Sequence, residues 1–367
     1  MRLNNWSLVK KVFVQVITAT IIILVFCPSI SGRTQSFVSP LDHFDRTLPF
    51  SFSEEDGSVV FLAARGVKQA FVEGYDNQRN KVFEVGPSLK WKISKKDGTA
   101  ITDGDYFCIV SVDLVTGVSK FFGKLSLNSG IVLFRLPERL YLEGRDAEAT
   151  EVFKMRTELM PEDKIGWMYY GVCLFRQLRG LDAKEAQKAK AAETLTVFHK
   201  ALTLADDCRT KLNAIGYIAS IYDTLDDVEK FREWQLRRAE DACADAKLKA
   251  VTYYSIGVGY WKCAYDLSLL YANKTKLSSD PFHARQFPNK KEREKFESCV
   301  DAGMKFIDKS LSFDPEYSDA YAYKSLLWRE KQKSTMIQTE RTRYRQEAEK
   351  TGKRAVEFAK KKQAEEQ

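Results

Sequence analysis

At 367 residues the chain is long enough for two or three domains of ordinary size. An apolar fraction of 44% beside 29% charged residues excludes wholesale disorder. The formal net charge is +8, with three of the positive charges in the first 31 residues; the remainder shows no basic stripe interleaved with aromatics and no base-reading motif, so nucleic acid is not an expected partner.

Arg2, Lys10 and Lys11 precede an apolar stretch from Val12 to Phe26 that is interrupted by Gln15, Thr18 and Thr20. Pro28 follows, then Ser29-Ile30-Ser31, which puts small residues at the two places a signal peptidase reads. This order predicts a cleaved secretory signal over residues 1–31 and a periplasmic or secreted protein. The competing reading is an uncleaved N-terminal membrane anchor. A spanning helix needs about 20 apolar residues, and this stretch is shorter and softened by polar groups. A lipid anchor at Cys27 wants a small residue before it, where Phe26 stands.

Export makes disulfides chemically accessible. Six cysteines follow the signal, Cys108, Cys173, Cys208, Cys243, Cys263 and Cys299, with no C-x-x-C among them, so zinc and thioredoxin-like chemistry have no support. Most fall inside predicted strands or helices, which suits small buried thiols. Pairing within Cys208/Cys243 or Cys263/Cys299 stays open, because the spacings assign nothing.

Residues 32–51 are polar, aperiodic and read as a linker. Residues 52–135 then read as all-β. Runs such as Ser58–Leu62, Ala70–Tyr75, Lys81–Glu84, Leu89–Ile93, Tyr106–Val112 and Ser119–Leu125 are aromatic and β-branched. Asp76-Asn77-Gln78, Gly86-Pro87, Asp97-Gly98, Asp103-Gly104 and Thr116-Gly117 punctuate them. Val72-Glu73-Gly74-Tyr75-Asp76, then Trp91, Asp97-Gly98 and Asp103-Gly104-Asp105-Tyr106, resemble the Ig-like domains of the flagellar-hook-cap type found in exported bacterial proteins. That resemblance implies a small Ig-like β-sandwich with Trp91 and Tyr106 in its core. The alternative for such aromatics is an exposed platform for a sugar.

Residues 136–365 change to helical grammar. Trp167-x2-Tyr170-Gly171-x2-Leu174, Ile215-x2-Ile218-Ala219-x2-Tyr222, Tyr253-x2-Ile256-Gly257-x2-Tyr260 and, more loosely, Tyr321-x2-Lys324-Ser325-x2-Trp328 match the first helix of the tetratricopeptide pattern. Second helices carry Ala149-x3-Phe153, Thr194-x3-Phe198, Lys230-x3-Trp234, Gly303-x3-Ile307 and Ala348-x3-Gly352. Small residues at Gly171, Ala219 and Gly257 let paired helices approach closely, and one hairpin cannot bury both of its faces, so hairpins must stack. Pro161 and Pro315 end second helices. About four and a half repeats are expected, the first being mostly a second helix.

The repeat is lengthened in places, most of all by an insert at about 262–298 that continues as helix and then passes through Asn273-Lys274-Thr275, Ser278–Pro281 and Phe287-Pro288-Asn289 as loop. The helical half, above all Phe313–Lys331, resembles a group of exported tetratricopeptide proteins of Acidobacteria-like bacteria, which strengthens fold and compartment more than function.

The fold class expected is therefore multidomain β + α, a small Ig-like sandwich followed by a tetratricopeptide α-solenoid. His43, His199 and His283 share no short motif with an acid or cysteine at metal-ligand spacing. No zinc-protease, nucleophile-elbow, phosphate-loop or dinucleotide signature is present, so no cofactor, metal or catalytic residue is assigned. A hydrolase with a noncontiguous site near Asp280, His283 and Glu297 is one alternative, and an envelope glycan-binding protein using the β-domain is another. The preferred reading is a scaffold that binds protein or peptide partners along the concave face. First-helix residues turned there are Met168, Phe175, Asp223, Tyr254, Val258 and Trp261, with Ile165, Val172, Asn213 and Ser220 beside them. The competing reading has the insert and lengthened helices folding into the groove and filling it.

Overall fold

The computed structural model describes residues 48–55, 58–95, 97–274 and 287–365, excluding the side chains of Asn273 and Lys274. The signal segment, most of the 32–51 lead, His43, Asp280 and His283 lie outside the described residues.

Among the described residues eight strands come first: β1 (Phe50–Glu55), β2 (Ser58–Ala63), β3 (Gln69–Tyr75), β4 (Lys81–Ser88), β5 (Lys90–Lys92), β6 (Gly104–Leu114), β7 (Gly117–Asn128) and β8 (Ile131–Arg135). They form two antiparallel sheets, one ordered β1-β2-β5 and the other β4-β3-β6-β7-β8. Both sheets contribute to one core. Phe50, Val59 and Phe61 come from the first; Val72, Phe83, Tyr106, Cys108, Val110 and Leu125 come from the second. Trp91 is half-buried against Phe61, with ring centroids 4.8 Å apart. β1 starts inside the stretch expected to be linker. The alternation of Phe50 and Phe52 drives it, since both rings pack on Phe61 and Phe134.

Strand alternation normally leaves one face of such a sheet to solvent. Here the outward residues Phe107, Ile109 and Phe122 are also buried. The first two helices, α1 (Pro137–Leu142) and α2 (Asp146–Leu159), lie against β7 and cover that face. Lys124 of β7 reaches Glu151 of α2 at 3.7 Å, and Arg79 of the β3–β4 turn reaches Glu158 at 3.8 Å. The strand unit is thus docked on the first hairpin.

Eight more helices follow: α3 (Lys164–Arg179), α4 (Lys184–Leu204), α5 (Cys208–Thr224), α6 (Val228–Glu240), α7 (Ala246–Lys274), α8 (Lys290–Phe313), α9 (Ser318–Lys333) and α10 (Gln338–Glu365). Asp163, Asp207, Asp227 and Asn289 cap α3, α5, α6 and α8, each accepting a backbone N–H of the first turn. The helices pair in order as antiparallel-type hairpins α1/α2, α3/α4, α5/α6, α7/α8 and α9/α10, and each new first helix packs on the hairpin before it. The first hairpin has a first helix of only 6 residues. The insert is largely helix: α7 runs to Lys274 and α8 begins at Lys290, with residues 275–286 outside the described set.

The small residues of the repeat pattern lie at the closest approaches. A Cβ on Gly171 would stand 2.7 Å from the Phe198 ring, and one on Gly257 would stand 2.7 Å from Ile307 Cδ1. At Ser325, where the pattern has serine, the hydroxyl bridges helices by donating to the Ala348 carbonyl at 2.7 Å, and Ser310 Oγ likewise donates to the Ala250 carbonyl at 2.7 Å. These are helical hairpins stacked in succession.

Among the described residues two disulfides staple these hairpins. Cys208 at the start of α5 bonds Cys243 just after α6, with Cα atoms 5.3 Å apart, and Cys263 of α7 bonds Cys299 of α8 at 6.0 Å. Cys108 and Cys173 are buried free thiols.

Candidate functional site

The six residues expected to line the concave face divide by burial. Met168, Phe175 and Tyr254 are 2%, 9% and 5% exposed, so they offer nothing to a ligand in this conformation. Phe175 meets Tyr217 of α5 edge-on at 5.5 Å, and Tyr254 sits between Tyr317 and Tyr323 at 5.0 and 5.5 Å. The physical reason is hairpin spacing. Successive first helices lie close enough that large side chains meant for the groove interdigitate with the next helix. Val172 and Asn213 are buried in the same way, and the Ser220 hydroxyl is turned back onto the Gly216 carbonyl of its own helix.

Asp223, Val258 and Trp261 remain at or near the surface. Trp261 is half-buried, stacked on Tyr265 at 5.2 Å and edge-on to Tyr323 at 5.1 Å. Its indole Nε1 is screened from solvent and has no hydrogen-bond partner among the described residues. Tyr265 is 37% exposed, and Lys333 Nζ lies 5.9 Å from its ring centroid. Val258 packs beside them in the cluster built on Tyr254, Ile307 and Leu327. Tyr265 and Lys262 were not singled out in the sequence, although Tyr265 follows Trp261 by one helical turn and so shares its face.

Asp223 of α5 faces this part of α7. The residue is exposed overall, yet burial of its carboxyl pushes the pKa above the usual carboxylate value; Lys262 opposes that shift and Asp226 adds to it. No ion pair within 4 Å engages Asp223 or Lys262 among the described residues. The strip therefore combines an aromatic pair, an aliphatic flank and an acid poorly solvated for its exposure. Such a surface suits apolar and cationic side chains of a peptide.

Among the described residues no group of three or more His, Cys, Asp or Glu could hold a metal ion. Burial pushes the Cys173 thiol up to about 12 and Cys108 higher still, so neither is a thiolate near neutral pH. His199 lies edge-on to Trp234 at 5.4 Å, and burial together with Arg237 lowers its pKa. Glu297 pairs with Arg293 of its own helix at 2.8 Å, while the other two residues of the hydrolase alternative lie outside the described set. For the sugar-platform alternative, the sheet aromatics Tyr106, Phe107 and Phe122 are buried; Phe71, at 40%, is the exposed one among the described strands. No helix among the described residues is long and apolar enough to cross a membrane.

No protein-family model matches the chain, and no curated protein matches it. Solved structures similar to it include a crystal structure of MamA, at 15% identity and TM-score 0.38, covering 63% of this chain and 99% of that one. YrrB, described as a TPR protein with an unusual peptide-binding site, aligns at 15% identity and TM-score 0.25 over 57% of this chain and 99% of that one. The TPR2AB-domain–pHSP90 complex of yeast Sti1 aligns at 13% identity and TM-score 0.25 over 60% and 95%.

Proposed function

We propose that this chain is a non-catalytic scaffold, working outside the cytoplasm, that binds a protein or peptide segment along the strip formed by α7 and α5. One observation carries this reading: Trp261 and Tyr265 present a stacked aromatic pair at the surface, with Asp223 and Lys262 at its edge and no ion pair closing over it. Aromatic anchors in partly desolvated surroundings supply most of the affinity in many interfaces.

The extracytoplasmic placement is supported by the stapling of α5/α6 and α7/α8, since such bonds persist chiefly in oxidising compartments. We read the two facing sheets as an Ig-like sandwich. Tyr106 Oη donates to the Thr102 carbonyl at 2.9 Å, the kind of corner contact such sandwiches use. Fixed against α1 and α2, that unit would buttress the first hairpin instead of swinging as a spacer.

The test is capture from an envelope extract with immobilised full chain, beside the variants Tyr265→Ala and Asp223→Asn. Both side chains are exposed, so neither change should unfold the solenoid. The reading expects a partner retained by wild type and lost by the variants. Equal recovery by all three, or by none, removes it. Partner-free non-reducing peptide mapping checks the compartment separately: the two cystine peptides should be found in protein exported by its own leader.

A further inference from the structure

The two sheets of the strand unit finish together at one end. Phe50 pairs with Ala63 and Leu62 with Lys90 at the end of the first sheet. Ala70 pairs with Ser88 and Gln69 with Asp113 at the end of the second. The β2–β3 loop joins these ends: Ala64 N–H donates to the Pro49 carbonyl at 2.8 Å, and Lys68 N–H donates to the Asp113 carbonyl at 2.9 Å. The β6–β7 turn projects at the same place, beyond the pairing of Leu114 with Gly117. The helices are held elsewhere. Glu158 of α2 reaches Arg79, which lies in the turn beyond the Tyr75–Lys81 pair at the opposite end of β3.

Single exposed apolar side chains are ordinary on any protein surface, but here they gather. Val115 and Val118 are 81% and 68% exposed, and Leu62, Phe71 and Leu89 are exposed on the same strand ends. Cations gather with them. Arg65, Lys68 and Lys120 are exposed, and none takes part in an ion pair among the described residues. The fourth cation, Lys90, pairs with Glu55 at 2.8 Å. Across residues 61–71, 86–90 and 111–121 the one acid is half-buried Asp113. Charge therefore has one sign at this end, and it surrounds an apolar tip.

We infer that this end of the strand unit rests on an anionic lipid surface, with Val115 and Val118 inserted at the headgroup boundary and Arg65, Lys68 and Lys120 against the lipid phosphates. A projecting turn of aliphatic side chains enters a soft interface, where binding grows with the apolar area buried and with attraction to anionic lipid. The unpaired cations complement that surface and select against a neutral one. The inference is independent of the α7 strip and shares no residue with it.

Flotation with vesicles tests it, using protein exported by its own leader. One set of vesicles is phosphatidylcholine, and the other is phosphatidylcholine mixed equally with phosphatidylglycerol. The expected result is binding to the anionic set alone. Each cation near an anionic leaflet strengthens association about fivefold, so K68E/K120E should weaken binding by at least about tenfold. V115S/V118S should weaken it severalfold. K154E/K247E, an equal change of charge on α2 and α7, should leave it unchanged. All six positions are exposed, and melting temperatures matching wild type exclude a folding defect. Val115→Trp reports locally: lipids brominated in the acyl chain should quench its added emission, a signal that attachment elsewhere in the chain cannot imitate. Absence of binding, equal binding to both lipids, full binding by V115S/V118S, equal loss in K154E/K247E and K68E/K120E, or no quenching in V115W overturns the inference. Capture of an acidic protein through this end without vesicle binding overturns it as well.

Discussion

Gly257 and Gly259 stand two residues apart on α7, and the structure predicts opposite effects when each becomes alanine. In a helix interior alanine is favoured over glycine by about 0.8–1.0 kcal/mol. At Gly259 an added Cβ would find its nearest neighbour, Phe231 Cε1, at 4.0 Å, so the gain should appear almost whole. At Gly257 the same Cβ would lie 2.7 and 2.8 Å from two carbons of Ile307 and 3.3 Å from the Gly303 carbonyl oxygen. Ile307 is fully buried among Tyr254, Tyr323 and Leu327 and has nowhere to retreat. Overpacking of this kind costs about 1–3 kcal/mol, which leaves Gly257→Ala about 1 kcal/mol less stable after the helical gain is deducted. For a solenoid of this size each kcal/mol moves the melting temperature by about 2–4 °C. Thermal melts followed by circular dichroism should therefore show Gly259→Ala rising and Gly257→Ala falling by a few degrees each. The double variant G257A/I307V, which makes room for the new methyl, should recover part of the loss. If both single variants melt above wild type, close helix approach at Gly257 is not what the repeat pattern selects there.

Serine replacement of Cys208 with Cys243, or of Cys263 with Cys299, opens a loop whose ends are 35 or 36 residues apart. Each pair should cost up to about 4 kcal/mol by the loop-entropy relation, and a urea midpoint unmoved by dithiothreitol would contradict it. Arg156 joins buried Glu138 at 2.8 Å and Asp163 at 2.6 Å, and burial pushes the Glu138 carboxyl above its usual range against the pull of Arg156. Arg156→Met should cost about 3–5 kcal/mol by leaving Glu138 unpaired, with E138Q/R156M recovering much of it in the same melts. For Asp207, burial raises the carboxyl, but hydrogen bonds from Lys164 and Thr210 outweigh it and hold the pKa at about 2, against 3.8 for the free group. Because the folded value is the lower one, the contribution is complete above pH 3.8 and is lost as pH falls through about 2. Asp207→Ala should lower stability at neutral pH by about 1 kcal/mol through the missing cap and flatten the acid limb of the stability profile; parallel limbs would refute the assignment.

The helical hairpins were legible because their determinants are local. Gly171 and Gly257, the large residues three and four positions away, and the prolines after second helices each report on a neighbour within one or two turns. Strands β2 to β7 were legible for the same reason, through alternation between turn residues. β1 had its alternation in Phe50 and Phe52, but short polar surroundings hid it. The sequence left two disulfide pairings open, and the packing of α5 on α6 and of α7 on α8 brings those cysteines together.

Everything that depended on distance between separate elements was decided only by tertiary structure. Met168, Phe175 and Tyr254 carry the periodicity of groove residues, yet all three are buried, Phe175 and Tyr254 against the next first helix. Phe107 and Phe122 alternate outward from their sheet, yet α1 and α2 cover them. A linear pattern states which side of an element a side chain takes; whether that side meets water or another element depends on how closely the neighbours pack, and no residue encodes that spacing alone.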